Sequence, residues 1–400
     1  MSASARVVIS GIGVVSPLGL GASAFWESLC SGRTAIGEIR RFDPGSRPPR
    51  LAAEVPEFAA REFLPPALVR RMDRLSQMIC VAAALAAADA RLARLDSRAG
   101  EDLAVVAGSA LGNLTESAQF LDRVFTKGPS LANPMLFPNL VLNAPASQVS
   151  MALGWRGPNL TISAGEISGE AALEVGIDLV RRGRAKAVVV AAGEEISEVV
   201  FQSLKDFGHL SPRGVGRERS CPFDAGANGP VLGEGAAALA VETLDSALER
   251  GARAYATIDR LDWISLSAAN PHLWPAPAAS LGNFGAAPDL IFSGADSSPE
   301  RDRLELSLVS GLASPATPLY SLAGAVGSHA SQGLATVAAA ALCLSSGVLP
   351  PLVGFERPRP EYRFDYPREP RRGSWSTALV IGAARGGGGI AARLRSTAGR

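Results

Sequence analysis

The sequence predicts an α/β protein made of two pseudo-equivalent halves. Three observations carry this. Buried-strand signals alternate with helical ones along the chain, the series runs twice, and the composition is that of a well-buried globular protein. Of 400 residues, 47% are hydrophobic, 19% are charged and 42 are glycine, which excludes a disordered chain.

In the first half, β-prone apolar runs stand at Arg6–Ser10, Leu103–Ala107, Asn159–Ser163, Ala187–Ala191 and Ala236–Val241. In the second they stand at Ala254–Leu261, Asp289–Ser293, Leu319–Leu322 and Thr377–Ile381. Helical patterns lie between them at Leu75–Leu95, Ala171–Arg184 and Leu334–Ser345. Such alternation predicts largely parallel sheets covered by helices. The halves divide at residues 1–246 and 247–400, with an excursion at about 109–158 inserted in the first. Trp263–Ala287 and the Pro- and Arg-rich stretch Arg357–Arg372 read as irregular.

The charges nearly cancel, 39 basic against 38 acidic, so no nucleic-acid footprint is expected. Cys30, Cys80, Cys221 and Cys343 form no CxxC pair and read as reduced thiols. The first apolar run, Val7 to Leu18, is cut by Gly11, Gly13 and Pro17, and no membrane span is expected. A cytoplasmic protein without cofactor or metal is the expectation. Gly386–Gly389 is no nucleotide loop, because no Lys-Ser/Thr follows it.

Asn159–Glu170 has the pattern of a strand-to-helix corner with Glu166 at its tip. Such a corner lifts one side chain to a helix N-terminus, where negative charge is favoured. A catalyst would place Cys or Ser there. A carboxylate is a poor acyl-transfer nucleophile beside a thiolate.

Several segments together resemble the β-ketoacyl-(acyl carrier protein) synthases of the thiolase-like superfamily. They are Val7–Gly19, Phe137-Pro138-Asn139 through Gly157-Pro158-Asn159, Cys221-Pro222-Phe223-Asp224 with Gly233–Ala237, Gly347–Pro351, and Gly386–Gly389. The resemblance covers nearly the whole chain and implies a thiolase-like fold, a layered α-β-α-β-α sandwich. It also implies a cysteine and two histidines in any active member. Here the cysteine position falls on Glu166, the first histidine on Gly294 and the second on Ser328; an expected lysine falls near Ala323. A one-residue shift would bring His329 to the second histidine, leaving Glu166 and His329 as a residual site. His209 and His272 lie in ordinary loop contexts. Asp302 and Glu305 keep the spacing of an acidic pair that the family carries, and Glu305, without its lysine, is expected to pair with an arginine.

Loss of this chemistry on an intact framework resembles the chain-length factors, ketosynthase-like subunits that pair with an active ketosynthase. The resemblance implies a heterodimer and an acyl carrier protein that docks through the partner, since Arg70, Arg71 and Arg74 form only a weak basic patch broken by Asp73. Three roles stay open for Glu166: a structural anion, a plug paired with an arginine such as Arg385, or a base in decarboxylation. Leu114, Phe120, Met135 and Leu136 are the expected wall of the partner's tunnel. The rival readings are a divergent condensing or decarboxylating enzyme and a homodimeric acyl-binding scaffold.

Overall fold

The computed structural model describes residues 6–92, 99–214, 216–265 and 286–397. Ten strands form the backbone of the fold: β1 (Val7–Ser16), β2 (Leu103–Gly108), β3 (Asn159–Ile162), β4 (Ala187–Glu194), β5 (Gly235–Thr243), β6 (Ala256–Ser265), β7 (Leu290–Ser293), β8 (Leu319–Tyr320), β9 (Thr377–Ala383) and β10 (Gly388–Ser396). They are hydrogen-bonded in the order β8-β7-β9-β10-β6-β1-β5-β4-β2-β3. From the centre outward the first half reads 1-5-4-2-3 and the second 6-10-9-7-8, the same order with each strand number raised by five. The pairing sense repeats too. The two inner pairs of each half are antiparallel and the two outer pairs parallel. The halves meet through β1 and β6, whose register joins only Val8 with Thr257 and Ile9 with Ala256.

The expected largely parallel sheet is therefore mixed. For one pair the reason is local: β9 and β10 are joined by a turn of a few residues, which permits only an antiparallel pair. β10 itself begins in the glycine run and continues through Arg393 and Arg395, so its apolar signal is weak.

Six helices position the site: α1 (Arg74–Asp89), α2 (Leu114–Lys127), α3 (Ala144–Leu153), α4 (Ser168–Arg181), α5 (Pro299–Ser310) and α6 (Gly333–Ser346). α6 is apolar nearly all round and buried along its length, as a helix between two sheets must be. It packs against α4, while α1 covers the outer face of the first half and α5 that of the second, giving the layers α-β-α-β-α. β4 shows why. Val188 and Val190 face the central core with α4 and α6, whereas Val189 faces the core beneath α1.

α1 opens on Asp73, whose carboxylate accepts the Ser76 amide at 2.8 Å, and ends at Asp89, short of the expected Leu95. Residues 93–98 and most of the irregular stretch Trp263–Ala287 lie outside the described residues; Trp263 to Ser265 belong to β6. Within Arg357–Arg372, Arg371 and Arg372 pair with Val348 and Leu349, and the rest is loop. No helix among the described residues is long and apolar enough to cross a membrane.

Candidate functional site

β3 ends at Ile162 and α4 begins at Ser168. Between them the chain turns through Gly165, at φ +61°, and the Ser168 hydroxyl donates to the Gly165 carbonyl at 2.7 Å. Ser168 Oγ also accepts the Ala164 amide at 2.9 Å. This corner presents Glu166 to a cavity of about 450 Å³. Asp296, Arg301, Ser328, His329 and Arg385 line the same cavity, opposite apolar side chains such as Leu111, Val200, Leu204 and Leu232.

The charged side chains form one chain of ion pairs. Arg385, in the β9–β10 turn, reaches Glu166 Oε1 with Nη1 at 2.7 Å and Asp296 Oδ2 with Nη2 at 2.8 Å. Its Nη2 also donates to Ser298 Oγ at 2.7 Å. Asp296 then meets Arg301 Nη1 at 3.3 Å, and Arg301 Nε meets Glu305 Oε1 at 3.3 Å, an i,i+4 pair on α5. Ser293 and the Ala383 amide complete the Glu305 carboxylate. Asp296, Arg301 and Glu305 are all buried.

Burial works against charge at every member, and the partners decide the balance. At Glu166 burial is outweighed by the Arg385 hydrogen bond and the Arg301 charge, which hold the carboxyl below its ordinary range. Asp296, despite full burial, is held well below the usual carboxylate range by Arg301 and Arg385. Burial leaves Glu305 raised even beside Arg301. Glu166 is thus a fixed anion rather than a group poised to exchange protons near neutrality.

Gly294 stands at the end of β7, and the space beside it is taken. A Cβ there would lie 2.8 Å from Arg301 Nη2 and 3.1 Å from Glu305 Oε1. Ser328 is buried in a turn where its amide donates to the Val231 carbonyl at 2.8 Å and its carbonyl accepts from Gly233 at 2.9 Å. His329 shares the cavity with Glu166, but its Nδ1 lies 2.6 Å from the Ala330 carbonyl. A carbonyl only accepts, so Nδ1 carries the proton. Burial lowers the ring to about 4, which keeps it neutral. Nε2 is therefore an acceptor and offers no hydrogen bond to a developing oxyanion. Ala323 is buried, and its carbonyl accepts from Ser220 Oγ at 2.9 Å.

Asp302 holds the frame. Its carboxylate accepts the amides of Asp296, Ser297 and Phe223, tying the loop after β7 to the Cys221–Asp224 segment. His209, read from the sequence as a loop residue, borders the cavity, and so does Arg213. His272 lies outside the described residues.

Other expected site residues lie elsewhere. Leu114 and Phe120 are half-buried on α2, and neither they nor Met135 and Leu136 line the Glu166 cavity. Met135 is 69% exposed, and with Leu136 it borders a separate cavity of about 470 Å³ alongside Arg70 and Arg71. Arg74 leaves the basic patch. It turns inward to Glu234 at 2.6 Å and the Val55 carbonyl at 2.7 Å, so Arg70 and Arg71 remain.

Sequence reasoning missed Arg301, the centre of the ion chain, although its spacing from Glu305 was readable. It also missed Glu194, at the end of β4. Its carboxylate accepts from Ser109 Oγ at 3.1 Å, Ser331 Oγ at 3.0 Å and the Ala110 amide. Burial raises it to about 7.

The model of the β-ketoacyl synthase N-terminal domain matches residues 4–247. A putative polyketide β-ketoacyl synthase 1 of Streptomyces cyaneus is 32% identical, over 99% of this chain and 99% of its own length. The tetracenomycin polyketide synthase ketoacyl synthase alpha subunit of Streptomyces glaucescens is 33% identical over 96% of both chains. Among solved structures, the ishigamide ketosynthase/chain length factor superposes with a TM-score of 0.90 at 24% identity, covering 98% of this chain and 100% of that one. This likeness extends to the layered, thiolase-like fold. In sequence as in architecture, the chain belongs to the β-ketoacyl synthase family.

Proposed function

We propose that this chain is a ketosynthase-like subunit without condensing chemistry, which pairs with a Cys-His-His ketosynthase and helps to set the length of the acyl or polyketide chain built there. One observation carries the reading. An ion chain from Glu166 through Arg385, Asp296 and Arg301 to Glu305 starts at the position that the resemblance gives to a thiolate and fills the space beside Gly294, the position it gives to an imidazole.

Pairing is supported by the edge of the sheet. Among the described residues β3 pairs with no strand but β2 and exposes Asn159 and Leu160, and the surface of the same half exposes Leu121, Phe125, Leu131, Phe137 and Met151. An unpaired edge beside so much apolar surface calls for cover. A ketosynthase is the occupant that the relatives favour. The solved neighbours include a ketosynthase/chain length factor and a type II carrier protein in complex with its ketosynthase. Carrier protein reaches the complex through the partner. Leu114, Phe120, Met135 and Leu136 belong to this surface and are the proposed wall of the partner's tunnel. Each methylene they exclude matters by about 0.8 kcal/mol. The division after residue 246 belongs to the same proposal.

Co-expression with a ketosynthase from the same genome, followed by native mass measurement, tests the pairing. A heterodimer is expected, and an exclusive homodimer would favour a scaffold instead. The purified chain alone should not turn over malonyl-carrier protein; clear decarboxylation would establish the rival enzyme using Glu166 and His329. In the complex, Glu166→Gln keeps an acceptor for Arg385 and should change output by less than roughly twofold, whereas a rate loss above about tenfold in an intact complex would make Glu166 a catalytic group. Met135→Trp should shift the product distribution toward shorter chains, read by mass spectrometry, and Met135→Ala toward longer ones.

A further inference from the structure

We infer that Arg301 and Arg385 are positioning residues for the partner-facing edge of the sheet, acting through the corner that Glu166 occupies. The inference rests on the pairing proposed above. Three features of the geometry lead to it. First, the ion chain runs across the molecule: Glu166 belongs to the first half, while Asp296, Arg301, Glu305 and Arg385 belong to the second. Second, Glu166 lies four residues beyond Ile162, the last residue of the exposed edge strand β3. Third, among the described residues β3 pairs with one strand, through its parallel register with β2 from Asn159 to Ile162, and Asn159 at its start also bonds to α3.

At the end of this short edge strand, Ile162, Ala164 and Ile167 pack against Ala384 and Ile390 of the second half, an apolar contact that sets distance but little direction. The Ser168 hydroxyl closes the turn locally, but every bond it makes is within the turn itself. Arg385 adds the polar, directional tie to the second half. It grips Glu166 with one nitrogen and Asp296 and Ser298 with the other. A planar guanidinium holding partners at both ends fixes direction as well as distance. Arg301 anchors that tie from below, because Asp296 is shared between the two arginines. Gly294 makes room for it, since a side chain there would meet Arg301 Nη2 at 2.8 Å. The substitutions at 166 and 294 thus form one device. It puts a rigid strut where substrate chemistry would need open space, and the strut aims the face that the partner covers.

Two variants test this without dismantling the core. Arg385→Met removes both grips, while Asp296 keeps Arg301. Gly294→Ala leaves every charge in place and pushes a methyl into Arg301. Arg182→Gln, which breaks an exposed pair with Asp178 on α4, is the control. Two quantities are read: amide hydrogen exchange across residues 160–168 in the isolated chain, and affinity for the co-expressed ketosynthase. Both variants should accelerate exchange across 160–168 by at least about tenfold, leave Val188–Val190 in β4 protected, and weaken the complex at least about tenfold. Arg385→Lys should restore part of the affinity, because one grip is remade. Unchanged exchange in both variants overturns the inference. So does faster exchange with undiminished affinity. If the wild-type chain binds no ketosynthase, the pairing reading is what fails, and the exchange data alone then decide whether the strut exists.

Discussion

Arg301→Met is expected to lower the free energy of unfolding by about 3–5 kcal/mol, the range for removing one partner from a buried ion pair. Asp296 and Glu305 flank the guanidinium, and both are buried. Methionine fills most of the volume and removes the charge, which leaves Asp296 with Arg385 and the Ser298 amide, and Glu305 with hydrogen bonds from Ser293 and Ala383. Chemical denaturation at neutral pH measures the loss. Adding Glu305→Gln to Arg301→Met should return part of the stability, because one uncompensated carboxylate goes with it. A change below about 1 kcal/mol in the single variant would mean that the interior is wet enough to solvate both acids.

Glu170→Gln is expected to stabilise the protein in mildly alkaline solution and to do nothing at pH 4–5. Glu170 lies in the first turn of α4, fully buried, and its Oε2 has no hydrogen-bond partner. Burial raises its carboxyl from 4.5 to about 7, with the Glu305 charge adding to the rise and Arg301 opposing it. The sign follows directly. A raised folded-state value means that the native state holds a proton the unfolded state has released. The group therefore adds no penalty below about pH 4.5, and its penalty grows until the native carboxyl too has ionised, above about 7. Over that interval the linkage amounts to roughly 3 kcal/mol. Glutamine has the same shape and no charge, so denaturation curves of the two proteins should coincide at pH 4.5 and separate by pH 8. A parallel offset at both values would mean that packing, not ionisation, distinguishes them.

Much of the fold could be read from the residues. The runs Leu103–Ala107 and Ala187–Ala191 are short, β-branched and uninterrupted, which suits strands covered on both faces. The all-apolar α6 was equally plain. What failed was the sense of pairing, because only the β9–β10 pair is set by a tight turn, while β1–β5, β4–β5 and β6–β10 join strands far apart in sequence whose direction no apolar period marks. Within the candidate site, the residues pointed to Glu166 at the corner, to Arg385 as its pair and to an arginine beside Glu305, and both ion pairs are present. Arg301 was hidden because a charged residue between Glu300 and Asp302, early in a helix, usually means a solvated face. Its inward direction depends on the missing side chain at 294, a relation between residues that lie apart until the chain folds. The tunnel-wall residues were chosen as apolar members of the excursion, and an exposed methionine at 135 shows that apolar character alone does not say which cavity a side chain faces.

The occupied space beside Gly294 bears on any attempt to build a thiol and imidazoles into this scaffold. Installing a thiol at the tip alone would set it against a guanidinium, with the His329 ring in the cavity holding its proton on the Ala330 carbonyl, and adding an imidazole at 294 would drive it into a second guanidinium. Such a redesign needs several simultaneous exchanges, each unfavourable until the others are made. Under the proposed function, the absent sulfur is the smaller obstacle, and the side chains filling the space around it are the larger.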